Sequence, residues 1–135
     1  MIFSVINWEE SFNVGNQSID NQHRQLINLY NILVETSERE KTTTSLLDAV
    51  IRQLVHYIDY HFMSEEKLFR EYKYPDAELH IKEHQSFIEK VDDFQKMKKD
   101  ELPVELLGYI NSWITQHITI VDKKCSDYFR MSKVT

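Results

Sequence analysis

Apolar residues recur along this chain at intervals of three and four, the period of a helix that buries one face. The clearest series is Leu47, Ile51, Leu54, Ile58 and Leu68, with positions 61 and 65 filling its one gap. Phe87, Val91 and Phe94 form another, and Leu106, Ile110 and Trp113 a further one. The spacing and its interruptions predict four helices. The first is expected from about Asp20 to Thr36, with Ser18 or Asp20 as its N-cap, where a short oxygen-bearing side chain can satisfy free amides. The polar stretch Ser37 to Thr44 separates it from the second, expected over Ser45 to Tyr72. Pro75 and Pro103 each open a later helix at a first-turn position. They are followed by Asp76 and Glu78 or by Glu105, acids that suit the helix N-terminal dipole. The residues up to Asn16 or Gln17 show no such period. With two glycines and two prolines in 135 residues, the chain lacks the turn residues that strands require. The expected fold is all-α: an up-down-up-down antiparallel four-helix bundle with an irregular N-terminal segment, as one domain over residues 1–135.

The residues that interrupt the apolar stripes carry the chemistry. His61 follows Ile58 by three, and Glu65 precedes Leu68 by three. His80 and His84 precede Phe87 on one ladder, His117 follows Trp113 by four, and His23 lies a turn before Leu26 and Tyr30. Five histidines therefore face the core, drawn from all four helices. Burying so many ionisable groups is costly unless they are paired or bind a metal. Side chains at i and i+4 project about 5–6 Å apart from one face, close enough to share a metal or clasp two neighbouring ones. His61/Glu65 and His80/His84 have that spacing. His117 and Asp122 are five apart, about 140° around an ideal helix. A carboxylate bridging two metals, or a local π-bulge, would reconcile that pair. His56 falls off its stripe and reads as solvent-facing or as mere support for a ligand. Glu66 points away and reads as a surface charge, while Asp59 and Asp76 have no ligand spacing.

Charge and composition narrow the partners. A net charge of −6 disfavours nucleic acid, whose phosphates demand a basic face. Lys96, Lys98 and Lys99 lie beside Asp100 and Glu101 and read as a solvated helix end. Cys125 is the one cysteine, so no intrachain disulfide can form, which fits a reducing compartment. No stretch is apolar enough to span a membrane, and the N-terminus lacks the basic start of a signal peptide. A cytoplasmic location is expected, and a monomer, because one bundle core consumes the stripes.

The segments Ile19-Asp20-Asn21-Gln22-His23, His61-Phe62-Met63-Ser64-Glu65-Glu66, His80-Ile81-Lys82-Glu83-His84 and Trp113 through His117 to Asp122 together resemble the hemerythrin family. The Trp8…Val14-Gly15 lead-in looks particularly like that of the bacterial members, and the resemblance covers nearly the whole chain. It implies that His80, His84 and His117 bind one iron and His23 and His61 another. Glu65 and Asp122 would bridge them, alongside an oxo or hydroxo bridge. O2 would bind reversibly at the open position of the two-histidine iron, in a dry pocket walled by Leu26, Phe62, Trp113, Ile114 and Ile118. The role implied is oxygen storage, delivery or scavenging rather than catalysis. Two departures stand out. Ile114 occupies a place where family members commonly have leucine, and Cys125 one where they often have tyrosine.

Rival readings remain open in the sequence. His80-Ile81-Lys82-Glu83-His84 also matches the H-x-x-E-H signature of certain zinc proteases, with Glu83 as general base. That reading leaves His23, His61, Glu65, His117 and Asp122 without a role. A di-iron redox enzyme of peroxidase or NO-reducing type is a second rival, and an O2 or redox sensing domain a third.

Overall fold

A computed structural model describes residues 5–38, 44–96 and 102–132. Among them there is no strand. The elements are a 3-10 turn (Glu10–Phe12), α1 (Gln17–Ser37), α2 (Thr44–Tyr72), α3 (Ala77–Gln95), α4 (Leu102–Trp113), a π-helical stretch (Ile114–Asp122) and α5 (Lys123–Ser132). The last three run on without a break and form the fourth rod of the bundle. Helix α1 packs on α2 and α4, α2 on α3, and α3 on α4, as an up-down-up-down bundle requires. No described helix is long and apolar enough to cross a membrane.

The predicted stripes are the buried ones. Ile51, Leu54, Ile58, Phe87, Val91, Phe94, Leu106 and Ile110 all lie in the core with Leu26, Tyr30 and Leu33 of α1. Phe69, rather than the half-buried Leu68, completes the α2 face. The segment ahead of α1 is irregular but held in place. Asn31 of α1 exchanges two hydrogen bonds with the backbone of Ile6, at 2.8 and 2.9 Å. Phe12 and Val14 are buried, and the Arg24 guanidinium lies over the Trp8 ring.

Two helix-end expectations need correction. The N-cap of α1 is Asn16, whose side chain accepts from the Ile19 amide at 3.1 Å. Its extended backbone aims the side chain at that free donor, whereas Ser18 and Asp20 already lie inside the helix. Asp20 instead turns back to accept the Val14 amide at 2.8 Å, tying the lead-in to the bundle. Pro75 is not in the first turn of α3. It occupies the second place of a turn closed by the Ala77 amide on the Tyr74 carbonyl, a position its fixed φ suits. That turn follows Lys73, whose positive φ of 51° lets the Tyr74 amide bond back to Phe69 and end α2. Pro103 is the second residue of α4, as expected. Lys98, Lys99, Asp100 and Glu101 lie outside the described residues, while Lys96 pairs with Asp92 at 3.0 Å.

Candidate metal centre

His23, His61, Glu65, His80, His84, His117 and Asp122 come together at one level of the bundle, none more than 6% exposed. The level lies between two apolar layers. On one side is the main core, including Ile58, Phe62, Phe87 and Ile118. On the other is a smaller cluster of Phe69, Tyr74, Cys125 and Phe129. Each rod crosses this level once, which is why one or two ligand-type residues interrupt every stripe.

Asp122 is the hinge of the arrangement. Its Oδ1 lies 2.9 Å from His80 Nε2 and 3.0 Å from His117 Nε2, while its Oδ2 lies 3.0 Å from His23 Nε2 and 4.0 Å from His61 Nε2. Glu65 Oε1 likewise stands between groups, 3.1 Å from His61 Nε2 and 3.3 Å from His84 Nε2. The seven residues form two overlapping sets, His80/His84/His117/Asp122 and His23/His61/Glu65/Asp122, each compact enough to hold one metal ion, and Glu65, His80 and Asp122 make a third such set with Cys125. Both carboxylates touch both histidine groups.

Helix geometry explains how each pair converges. His61/Glu65 and His80/His84 are one turn apart on regular helices. His117 and Asp122 lie in the nine-residue π stretch, whose i→i+5 bonding brings residues five apart to one face. Of the two devices that could reconcile their spacing, the π segment is present.

His23 and His61 face each other Nε2 to Nε2 at 3.1 Å, and His80 and His117 do so at 3.2 Å. Ligand atoms sharing one metal at about 2.1 Å and at right angles sit about 3 Å apart. Three of the inward atoms, Glu65 Oε1, His84 Nε2 and Asp122 Oδ2, have no partner of hydrogen-bonding geometry among the described residues although all are buried. On the outer edge, His61 Nδ1 donates to Gln22 Oε1 at 2.7 Å and His84 Nδ1 to Glu66 Oε2 at 3.1 Å, while His117 Nδ1 faces Glu83 Oε2 at 3.3 Å. An acceptor on Nδ1 keeps the proton there and turns the Nε2 lone pair inward, as metal ligation needs. The residues fit a metal cluster.

Without a metal, protons take its place. Burial drives His61 toward neutrality, but Glu65 and Asp122 overcome it and raise its pKa to about 10. His117 is also raised, burial opposing and Asp122 and Glu65 prevailing. Burial and the Asp122 charge push Glu65 up, yet His61 and His84 hold it down at about 2. Burial likewise opposes ionisation of Asp122, and His117, His23 and His61 keep it well below its ordinary value.

Three outer partners escaped the sequence reading, and one contradicts it. Glu66 is not a plain surface charge: it bends back onto His84 and is 27% exposed. Glu83, placed as a general base by the protease reading, faces the outer nitrogen of His117 instead. Gln22 had no assigned role. The available signal was adjacency, since each stands one residue from a ligand on its own helix. His56 is exposed, as its phase predicted, and so is Asp59; Asp76 pairs with Lys124 at 2.6 Å. Leu26, Phe62, Ile114 and Ile118 are fully buried. Phe62 stacks on His84 at 3.8 Å, and the half-buried Trp113 stacks on His117 at 4.3 Å. Cys125 is buried beside the cluster, its thiol 3.8 Å from Glu65 Oε2 and 3.3 Å from the Asp122 carbonyl. Burial and the Glu65 and Asp122 charges push that thiol far up, so it stays protonated.

Comparison with known proteins agrees with this geometry. Residues 14–126 match the family of the hemerythrin HHE cation binding domain. A bacteriohemerythrin of Clostridium acetobutylicum is 30% identical over 127 residues, covering 89% of this chain and 98% of that protein. One from Pseudomonas paraeruginosa is also 30% identical, covering 93% and 82%. A hemerythrin-like protein of Naegleria gruberi is 28% identical over 121 residues, covering 90% and 91%. Among solved structures, a hemerythrin mutant superposes with a TM-score of 0.81 at 23% identity, covering 94% of this chain and 98% of its own. A buried histidine and carboxylate cluster, set in a four-helix bundle and matched across most of the chain, makes this protein a member of the hemerythrin family.

Proposed function

We propose that the cluster holds two iron ions and that the protein binds O2 reversibly, for storage, delivery or scavenging. In this reading His80, His84 and His117 hold one iron, His23 and His61 the other, and Glu65 and Asp122 serve both. The observation that carries it is the placement of both buried carboxylates between a three-histidine group and a two-histidine group. The two-histidine group has one donor fewer, which leaves its metal a position for O2. When bound, a diferrous pair supplies the two electrons that O2 draws on binding and takes them back on release.

The chain's own part is to limit that chemistry. Imidazoles are neutral donors, so two carboxylates leave the site less anionic than carboxylate-rich di-iron centres, which support more highly oxidised iron. Leu26, Phe62, Ile114 and Ile118 are fully buried, Phe62 stacks on His84 and Trp113 on His117, and in this reading the five wall the site against water. A dry wall slows proton entry and therefore slows irreversible oxidation. Binding without turnover is the expected outcome, in a monomeric cytoplasmic protein.

The test is to load the protein anaerobically with Fe(II) and follow its visible absorption as O2 is added and removed. A charge-transfer band that comes with O2 and goes on degassing is expected. Immediate irreversible oxidation of the ferrous form with peroxide release would sink reversible binding.

A further inference from the structure

We propose that Glu66 and Glu83 make the three-histidine group the tighter of the two metal positions, the one filled first. This inference rests on the two-metal reading of the cluster. It comes from an asymmetry on the outer edges of the histidines. Two of the three histidines in the His80/His84/His117 group have a carboxylate at Nδ1: Glu66 at 3.1 Å on His84, and Glu83 at 3.3 Å on His117. In the His23/His61 group the only such contact among the described residues is a neutral amide oxygen, Gln22 Oε1 on His61 at 2.7 Å. The Nδ1 atoms of His23 and His80 have no hydrogen-bond partner among the described residues.

A carboxylate behind an imidazole raises the electron density that its inward nitrogen gives a metal, and it holds the ring in place. A neutral amide does the second but little of the first. Both anionic partners serve one group, so both favour a dication there over the neighbouring position. The two carboxylates act unequally. Glu66 is 27% exposed and closer, whereas Glu83 is 50% exposed and more strongly screened by solvent. Glu66 is therefore the stronger of these two positioning residues. Neither residue belongs to the inward donor set, so their removal leaves all seven ligand side chains intact.

The experiment is a competitive titration of the metal-free chain with Co(II) against a chelator, read by cobalt absorption, giving two stepwise dissociation constants. Glu66→Gln is expected to weaken the first step by about 10- to 100-fold, Glu83→Gln by less, and both to leave the second step within about threefold. Gln22→Glu, which sets a carboxylate behind His61, is expected to tighten the second step instead. Circular dichroism of each metal-free variant checks that the bundle is intact. The partly exposed Glu66 and Glu83 variants decide the matter even if Gln22→Glu destabilises its buried surroundings. Equal weakening of both steps, a change confined to the second, or no change would overturn the inference while leaving two metals in place. Fewer than two cobalt ions on the unaltered chain would instead overturn the two-metal reading beneath it.

Discussion

Two helices deliver a pair of ligand-type residues to the same level of this bundle by different means. In α3, His80 and His84 are four apart on a regular helix, and the apolar stripe continues in phase through Phe87, Val91 and Phe94. In the fourth rod, His117 and Asp122 are five apart, and the backbone widens into a π stretch from Ile114 to Asp122 to accommodate them. Beyond it, Cys125 and Phe129 return to the core side. The π stretch therefore absorbs roughly one residue's rotation and restores register. The regular helix places its ligands at no structural expense. The widened one trades ideal hydrogen bonding for a carboxylate set between the two histidine groups.

The sharpest way to break this comparison is to delete one residue from each segment. Removing Lys82 from α3 rotates Phe87, Val91 and Phe94 about 100° off the core, and the chain is expected not to fold, as read by circular dichroism. Removing the exposed Ile120 should convert the π stretch to a regular helix, leave His117 and the aspartate one turn apart, and keep α5 in register. That variant is expected to fold, with thermal stability equal to or above that of the parent. If both deletions unfold the protein, the π stretch is not a removable insertion.

Next in size is Asp122→Asn, which keeps the shape and removes the shared charge. Because Asp122 touches His23, His80 and His117, both metal positions are expected to weaken by at least about 100-fold in chelator competition, a loss typical of removing a ligand rather than its support. His84→Asn on the regular helix should damage only one position. Loss confined to one position in Asp122→Asn would argue against its shared role.

Acidity gives a graded handle. In the metal-free chain His61 stays protonated up to about pH 10 and His117 is also raised, while Glu65 is ionised down to about pH 2. Binding a metal must displace the histidine protons and none from Glu65. Affinity is thus expected to rise with pH, by about tenfold per unit for each proton released, across pH 6.5 to 9. A flat profile there would show that the metal-free histidines are already neutral.

How much of this was legible beforehand divides along the same line. Regular spacing made His61/Glu65 and His80/His84 readable, together with the stripes and the four-helix count, because a helix of fixed period maps sequence directly onto a face. The five-residue gap to Asp122 was readable only as a tension with two resolutions. Nothing in Ile114 to Asp122 dictates a π backbone by composition; tertiary demand on Asp122 selects it. Glu66 and Glu83 were not legible either, since a long flexible acid beside a ligand can point to solvent or fold back equally well. Asn16 displaced the predicted caps because the true helix start depends on where the lead-in docks.

The smallest effect expected concerns the π stretch alone. Thr115 and Thr119 bond back to the carbonyls of Asn111 and Thr115, at 2.9 and 2.7 Å, where a widened backbone leaves oxygens poorly served. Thr119→Val keeps the shape, loses one such bond, and should cost about 0.5–1 kcal/mol in denaturant unfolding. No comparable support exists among the described residues of α3.

The central claim is that one buried cluster holds two irons on shared carboxylates. Its most direct test is the metal content of the unaltered protein, loaded anaerobically with Fe(II), freed of excess metal and assayed for iron per chain. The account predicts two irons per chain, lost together in Asp122→Asn. One iron per chain, or refusal of iron with stoichiometric zinc in its place, would contradict it.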